Sequence, residues 1–289
     1  MADYVDKTAS LTPKARGVIL NKETEYPHTG HFNDVVERGT YLCRRCGLAL
    51  FRATSQFASG CGWPSFDDEI ESAITTLPDN DGLRTEIVCS RCQGHLGHVF
   101  TGEGFTKNNK RHCVNALSLD FVVDTNVLDT AEAIVAGGCF WGVEHYLKQI
   151  PGVLFVESGY TGGTTAEPSY ESICQGNTGH YEAVRVIYDV NFTTYEAIIK
   201  RFFEIHDPTQ STGQGPDLGS QYKSAIFYFN TDQKEIAEGL IGQLKNKGYD
   251  VVTRLKGAEP FWPAEPYHQD YYHKHQSLPY CHSPTPRFD

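Results

Sequence analysis

Beyond residue 130 the apolar positions keep a readable rhythm. Ala133-Ile134-Val135-Ala136 is a short apolar run that meets Gly137-Gly138. Val143, Tyr146, Leu147 and Ile150 then follow at the i, i+3, i+4, i+7 spacing of one helix face, and Pro151-Gly152 stops that helix. A strand is predicted over about 153–160, before a Gly/Thr-rich loop. Residues 181–189 alternate, with Val184, Val186 and Tyr188 on one face. Ile198, Ile199, Phe202 and Phe203 predict a helix over 194–205. A strand over 224–229, a helix over 232–247 closed by Gly248 and a strand over 250–255 complete the half. This order is βαβ twice, with an extra helix and strand. It predicts an antiparallel α+β sandwich of the ferredoxin-like type.

The first half reads differently. Turn clusters stand at Ala58-Ser59-Gly60 and Pro78-Asp79-Asn80-Asp81-Gly82. The run from Arg111 to Phe121 alternates and places Arg111, Cys113, Asn115, Leu117, Leu119 and Phe121 on one face of a single strand. An all-β domain of two small antiparallel sheets is expected. The polar stretch near 124–130 marks the boundary, giving domains over 1–124 and 132–289 with a linker over 125–131.

Composition narrows the class. At 289 residues, 39% hydrophobic and 21% charged, the chain suits two globular domains rather than a disordered tract. A net charge of -11 argues against a nucleic-acid partner. No apolar run reaches membrane-spanning length, and Met1-Ala2-Asp3-Tyr4-Val5-Asp6-Lys7 is no signal peptide, so a cytoplasmic location is expected; a mature exported form is compatible with the same residues. The nine cysteines are grouped too unevenly for a secreted disulfide scaffold.

Cys43-x-x-Cys46 and Cys89-x-x-Cys92 are two tight-turn pairs some forty residues apart. Four thiolates close a tetrahedron and leave no open position, so a structural zinc is expected, tying one hairpin to a later one. Cys113 lies in Arg111-His112-Cys113-Val114-Asn115, where the guanidinium two residues away would favour a thiolate. Asn115 can hydrogen-bond a substrate oxygen. His95-Leu96-Gly97-His98 offers two imidazoles, and Gly60-Cys61-Gly62-Trp63-Pro64-Ser65-Phe66 a thiol beside a tryptophan. Taken singly, a second metal site and core packing explain these groups as well. Together, GCGWPSF, GHLGHVF, RHCVN and the CxxC pairs resemble the methionine sulfoxide reductase B family over about residues 10–123. The resemblance implies Cys113 as nucleophile, Cys61 as resolving thiol, Trp63 as the seat of the substrate methyl group, and His95, His98, Arg111 and Asn115 as the polar set. The family often carries an acid where Gly102 stands; Glu103 is its neighbour here.

Cys139 follows a predicted strand and opens a predicted helix in Gly137-Gly138-Cys139-Phe140-Trp141-Gly142. Backbone N–H groups and the helix dipole there stabilise a thiolate. Phe140 and Trp141 supply an aromatic wall. A buried structural cysteine is the alternative. The stretch resembles the methionine sulfoxide reductase A family over about 132–282, with further matches at 178–182, 206–210, 219–222 and Tyr280-Cys281-His282. The resemblance implies Cys139 as nucleophile, Glu182 as the acid on the sulfoxide oxygen, Tyr170, Asp207 and Tyr222 as the polar pocket, and Cys281 as resolving thiol. Cys281 is expected to ride a mobile tail. Cys174 is expected to be a buried, idle thiol.

The chemistry so implied is thiolate attack on the sulfoxide sulfur with protonation of its oxygen, leaving methionine and a sulfenic acid. A second cysteine closes a disulfide, which thioredoxin reopens. The B-type domain takes the R epimer and the A-type domain the S epimer, of free or protein-bound methionine sulfoxide. A thiol peroxidase or disulfide oxidoreductase, and a zinc-stabilised binding module, share parts of this pattern; burst release of methionine separates the three.

Overall fold

The structure is a computed structural model that describes residues 4–35, 38–79 and 81–288. Residues 1–3, on which the leader expectation rests, and Asn80 in the second turn cluster lie outside the described residues. The chain forms two compact units, Met1–Ala131 and Glu132–Asp289. Among the described residues no helix is long and apolar enough to cross a membrane.

The first unit is sheet-rich. Its strands are β1 (Thr40–Cys43), β2 (Ala49–Arg52), β3 (Gln56–Phe57), β4 (Ser65–Phe66), β5 (Ile74–Pro78), β6 (Thr85–Cys89), β7 (His95–Thr101), β8 (Lys110–Val114) and β9 (Leu119–Val122). One sheet has the order β2-β1-β9 and the other β3-β4-β8-β7-β6-β5. Aromatic side chains join them: Tyr41 of β1 meets Phe66 of β4 edge-on at 4.9 Å, and Phe66 stacks on Phe51 of β2 at 4.3 Å. All three are fully buried, and the Tyr41 hydroxyl donates to Gln56 Oε1 at 2.7 Å, so that buried phenol is satisfied.

Two expectations need correction here. The unit is not purely β, because α1 (Pro13–Asn21) packs Ala15 and Ile19 with Leu11. Thr12 caps it and Pro13 starts it, a helix signature that the short apolar stripe hides. The alternating run from Arg111 is also two strands. It breaks at Asn115, a one-turn 3₁₀ helix follows over Ala116–Ser118, and β9 resumes in the other sheet. Residues 124–130 are fastened to this unit: Val127 is buried, Leu128 O accepts from Ala49 N, and Asp129 pairs with Arg91 at 2.6 Å.

The second unit is mixed α/β. Its strands are β10 (Thr130–Ala136), β11 (Val153–Thr161), β12 (Tyr181–Asp189), the small hairpin β13 (Gly213–Gln214) and β14 (Asp217–Leu218), β15 (Ala225–Tyr228), β16 (Arg254–Gly257) and β17 (Trp262–Pro263). The helices are α2 (Phe140–Leu147), α3 (Tyr170–Cys174), α4 (Tyr195–Ile205), α5 (Thr231–Asn246) and α6 (Tyr271–Lys274). The main sheet runs β16-β15-β10-β12-β11-β17. It is not wholly antiparallel, since β16 lies parallel to β15. Strand β16 also starts later than its hydrophobic pattern suggests: the 250–255 run puts Val252 N on Pro208 O, and sheet pairing begins only at Arg254. Central β10 is buried along its whole length, which explains its unbroken apolar run. Its one charge, Glu132, is paired with Arg185 at 2.9 Å. Helix α4 is capped by Thr194 and buries Ile198, Ile199, Phe202 and Phe203.

Candidate active sites and a candidate metal centre

The Cys43/Cys46 turn joins β1 to β2, and the Cys89/Cys92 turn joins β6 to β7, so the cluster links the two sheets. All four thiols are buried with their sulfurs within 4.8 Å of one another. Cys43 and Cys92 approach to 3.6 Å and Cys46 and Cys89 to 3.5 Å. Four sulfurs about 2.3 Å from a central zinc would stand about 3.8 Å apart, so the donor set fits that ion.

The larger sheet of the first unit carries a row of polar groups. Ser65, Cys113, His98 and Glu86 are direct cross-strand neighbours on β4, β8, β7 and β6. Directly opposed residues share a face. His95 and His98, three apart, would face opposite sides of a regular strand. A bulge opposite Ile87 and Val88 absorbs one residue and brings the rings to 5.7 Å. Gly97 makes this possible: its φ is +154°, and a Cβ there would lie 2.0 Å from the Cys113 carbonyl oxygen.

Both imidazoles have acidic support, from positions other than 102 or 103. His95 Nδ1 sits 2.7 Å from Glu86, which Lys22 pairs at 2.7 Å. His98 Nε2 sits 2.9 Å from Asp79, which Arg84 pairs at 2.8 Å. Burial holds the His95 imidazole below its usual pKa against the pull of Glu86. His95 Nε2 is buried without a hydrogen-bond partner. Glu103 instead grips Arg111 with two bonds of 2.7 and 2.8 Å, and the guanidinium lies over Phe100.

Cys61 Sγ lies 3.7 Å from Cys113 Sγ. The bond from Cys113 and those from Ser59 and Ser65 draw the Cys61 thiol down to about 4, against its burial. The bond Cys113 makes to Cys61, with burial, pushes the Cys113 thiol up, and Arg111 opposes the rise. Trp63 is set by its Nε1–H to Glu25 O at 3.0 Å. Asn115 does not present its amide to this pocket: Oδ1 accepts from Glu25 N at 2.9 Å and Nδ2 donates to Leu96 O at 3.1 Å. It holds the segment that holds Trp63.

In the second unit Cys139 is the N-cap residue of α2, buried where β10 turns into the helix. The next N–H, that of Phe140, donates to Glu182 Oε2 at 3.2 Å. Glu182 comes from β12, beside Tyr160 of β11. It is 2% exposed, and burial raises its carboxyl to about 8; the Phe140 N–H and Tyr222 hydroxyl oppose, and negative Asp217 and Cys281 add to the rise. The interaction of Cys139 with Cys281 pushes the Cys139 thiol up and brings Cys281 down to about 6. The tail thus already seats Cys281 on Cys139.

The aromatic wall is built in layers. Phe140 is buried against Tyr160 at 5.8 Å and His268 at 5.0 Å. Trp141 stacks on Tyr271 at 3.6 Å and donates to His268 Nδ1 at 3.0 Å. Tyr170, whose N–H is held by Glu265, has its hydroxyl pushed up by burial, then by a bond to Cys174, with Glu182 and Cys139 adding to the rise. Asp207 is occupied locally: Oδ1 takes the Thr209 N–H and hydroxyl at 3.0 and 2.7 Å. Asp217, on β14, stands nearer the chemistry and escaped the sequence reading; Tyr280 donates to both its oxygens, at 3.0 and 3.2 Å. Cys174 is exposed, not buried.

Comparison with known proteins agrees with this division. A family model described as peptide methionine sulfoxide reductase matches residues 131–288, and a SelR domain model matches 11–123. The peptide methionine sulfoxide reductase MsrA of Acinetobacter baumannii is 48% identical over 155 residues, 54% of this chain and 90% of that protein. MsrA of Sulfolobus acidocaldarius is 47% identical over 150 residues, 52% and 85% respectively. Reduced Mxr1 from Saccharomyces cerevisiae has a similar structure, with a TM-score of 0.50, 33% identity, and coverage of 54% of this chain and 92% of that one. The chain belongs to the peptide methionine sulfoxide reductase family. It is an oxidoreductase in which a SelR domain precedes the MsrA-type domain, so that both reductase types stand on one polypeptide.

Proposed function

We propose that the first unit reduces the R epimer of methionine sulfoxide and the second the S epimer, each through its own pair of cysteines. The observation that carries this is the pairing itself: Cys113 with Cys61, and Cys139 with Cys281, in units of different fold. The sulfoxide sulfur is chiral, and the reductases work one enzyme per epimer.

In the second unit the Glu182 acid, protonated at neutral pH, gives its proton to the sulfoxide oxygen. Cys139 attacks the sulfur and passes its own proton to Cys281. The protonated oxygen then moves from the substrate sulfur to the Cys139 sulfur: the substrate S–O bond and the new sulfur–sulfur bond break, an S–O bond to Cys139 forms, and methionine leaves behind a Cys139 sulfenic acid. Cys281 then condenses with the sulfenic acid, forming the disulfide and water. Trp141 and Phe140 seat the methyl group; Tyr170 and Tyr222 bind the oxygen beside Glu182, and Asp207 shapes the loop next to them.

In the first unit Cys113 is the nucleophile and Cys61 first takes its proton, then resolves the sulfenic acid. His95, His98 and Arg111 surround the sulfoxide oxygen, and the unpartnered Nε2 of His95 is the atom best placed to bond it. Trp63 receives the methyl group, held through Glu25 by Asn115. Cys43, Cys46, Cys89 and Cys92 would hold a structural zinc, which when bound supplies folding energy to the junction of the two sheets.

Thioredoxin is the proposed reductant of both disulfides and oxidised protein the substrate, in the cytoplasm. The βαββαβ part of the second unit, with β15-β10-β12-β11 as its strand order, supports a ferredoxin-like reading. One turnover without reductant tests the scheme. Peptide mapping should return Cys61–Cys113 and Cys139–Cys281; a main disulfide of the second unit through Cys174 would overturn it.

A further inference from the structure

One imidazole in the second unit has no part in the scheme above, yet it touches a reacting sulfur. His282 Nδ1 lies 3.0 Å from Cys281 Sγ, and its Nε2 lies 2.8 Å from the carbonyl oxygen of Gly137. A carbonyl only accepts, so Nε2 carries the hydrogen of that bond. In the neutral ring Nδ1 is then bare, and it faces the Cys281 sulfur as an acceptor for the proton that Cys281 takes from Cys139.

The ring is seated, not trailing. His282 is 2% exposed although it belongs to the tail, and its own carbonyl accepts from Tyr146 at 3.5 Å. Gly142 leaves it room: a Cβ there would meet His282 Nδ1 at 2.3 Å. Gly137 and Gly142 flank Cys139 in the strand-to-helix turn. The one imidazole is therefore bonded to the turn that carries the nucleophile and to the thiol that resolves it.

We propose that His282 is the general base of disulfide closure in the second unit. The inference rests on the reading of Cys139 as nucleophile and Cys281 as resolving thiol. In this step His282 Nδ1 takes the Cys281 proton, and the Cys281 sulfur forms a bond to the Cys139 sulfur. The S–O bond of the sulfenic acid breaks, and the departing hydroxide takes the proton back as water. Cys281 is oxidised and the Cys139 sulfur reduced, so no outside oxidant is needed. The other groups that face Cys281 are Cys139, Asp217, Tyr272 and Tyr280, with Glu182 close by. Asp217 raises the Cys281 thiol, whereas Cys139 and His282 lower it to about 6.

The test uses the full chain with Cys113→Ser, so that only the second unit turns over. His282→Ala and His282→Asn are compared with this parent in one turnover with the S epimer. Rapid quenching measures methionine release, and mass spectrometry measures sulfenic acid trapped by dimedone against the Cys139–Cys281 disulfide. Both variants should release one methionine per chain at the parent's rate and close the disulfide about 100-fold more slowly. Without its base, closure should wait on ionisation of the Cys281 thiol by itself, so in both variants its rate should rise with pH over a higher range than in the parent. Added imidazole should partly restore closure in His282→Ala. Asparagine can bond Cys281 but cannot take its proton, so closure at the parent's rate in His282→Asn would overturn the proposal. So would slow closure with an unmoved pH profile, which is the mark of lost placement alone. No methionine from the parent would instead sink the reading of Cys139, and this inference with it.

Discussion

In the first unit carboxylates hold the three basic groups near the reacting pair: Glu103 holds Arg111, Glu86, itself paired with Lys22, holds His95, and Asp79, itself paired with Arg84, holds His98. In the second, Glu182 faces an N–H, a hydroxyl and two negative neighbours, and it stays protonated. The first unit fixes charge in place with ion pairs on a sheet face. The second makes a neutral acid by burial at a strand–helix turn. Two surfaces with different chemistry can handle the same sulfoxide group, provided each supplies a thiol and a proton. The difference also means that the two sites should respond differently to pH, metal and mutation.

The largest separation should come from metal. Zinc sites of this type contribute on the order of 10 kcal/mol to folding in small domains. Chelation, or Cys43→Ser, should unfold the first unit, seen by loss of its activity and of protease resistance. Reduction of the S epimer should survive. Elemental analysis finding no metal in protein purified without chelator would remove the basis of this difference.

Removing the buried acid should act only on the other side. Glu182→Gln should slow S-epimer reduction by roughly 10²–10⁴-fold, the usual worth of a general acid. The raised carboxyl is protonated below about 8 and loses its proton above it, so the wild-type rate should fall as pH rises through 8. The variant's residual rate should lack that limb. A pH–rate profile of each epimer reads both effects, and a flat wild-type profile would contradict the assignment.

Gly97→Ala places a methyl group against the Cys113 carbonyl and should force the bulge open. An expected cost of about 1–3 kcal/mol in stability accompanies misplacement of Cys113 and His98. A roughly 100-fold loss in R-epimer kcat/KM follows if the shift nears 1 Å. Denaturant melts and steady-state kinetics measure the two parts. Glu86→Gln should do least, because His95 keeps a neutral acceptor: a loss of about tenfold or less in R-epimer kcat, with KM unchanged.

Much of both sites was legible in the sequence because the groups lie close together along the chain. GCFWG sets Cys139 in a strand–helix turn, and the CxxC spacing brings four sulfurs to one point. What escaped was what the sheet brings together. Glu86 and Asp79 reach the histidines from a neighbouring strand and its turn, across a register that the bulge alone determines. Asn115 looked like a substrate ligand because a strand was extended through it, whereas the chain turns there. Asp217 and His282 come from a hairpin and a tail, which no periodicity marks. Helix α1 was hidden by a weak apolar stripe, although Thr12-Pro13 announced its start.

The claim of two independent sites is tested most directly by chiral chromatography of the substrate left after turnover of a racemic mixture. Cys113→Ser should leave the R epimer untouched and consume the S epimer at the wild-type rate; Cys139→Ser should do the reverse. Each loss should be several orders of magnitude, since serine is a far weaker nucleophile and forms no sulfenic acid. A folded single variant that loses both activities, or one that loses neither, would contradict the account.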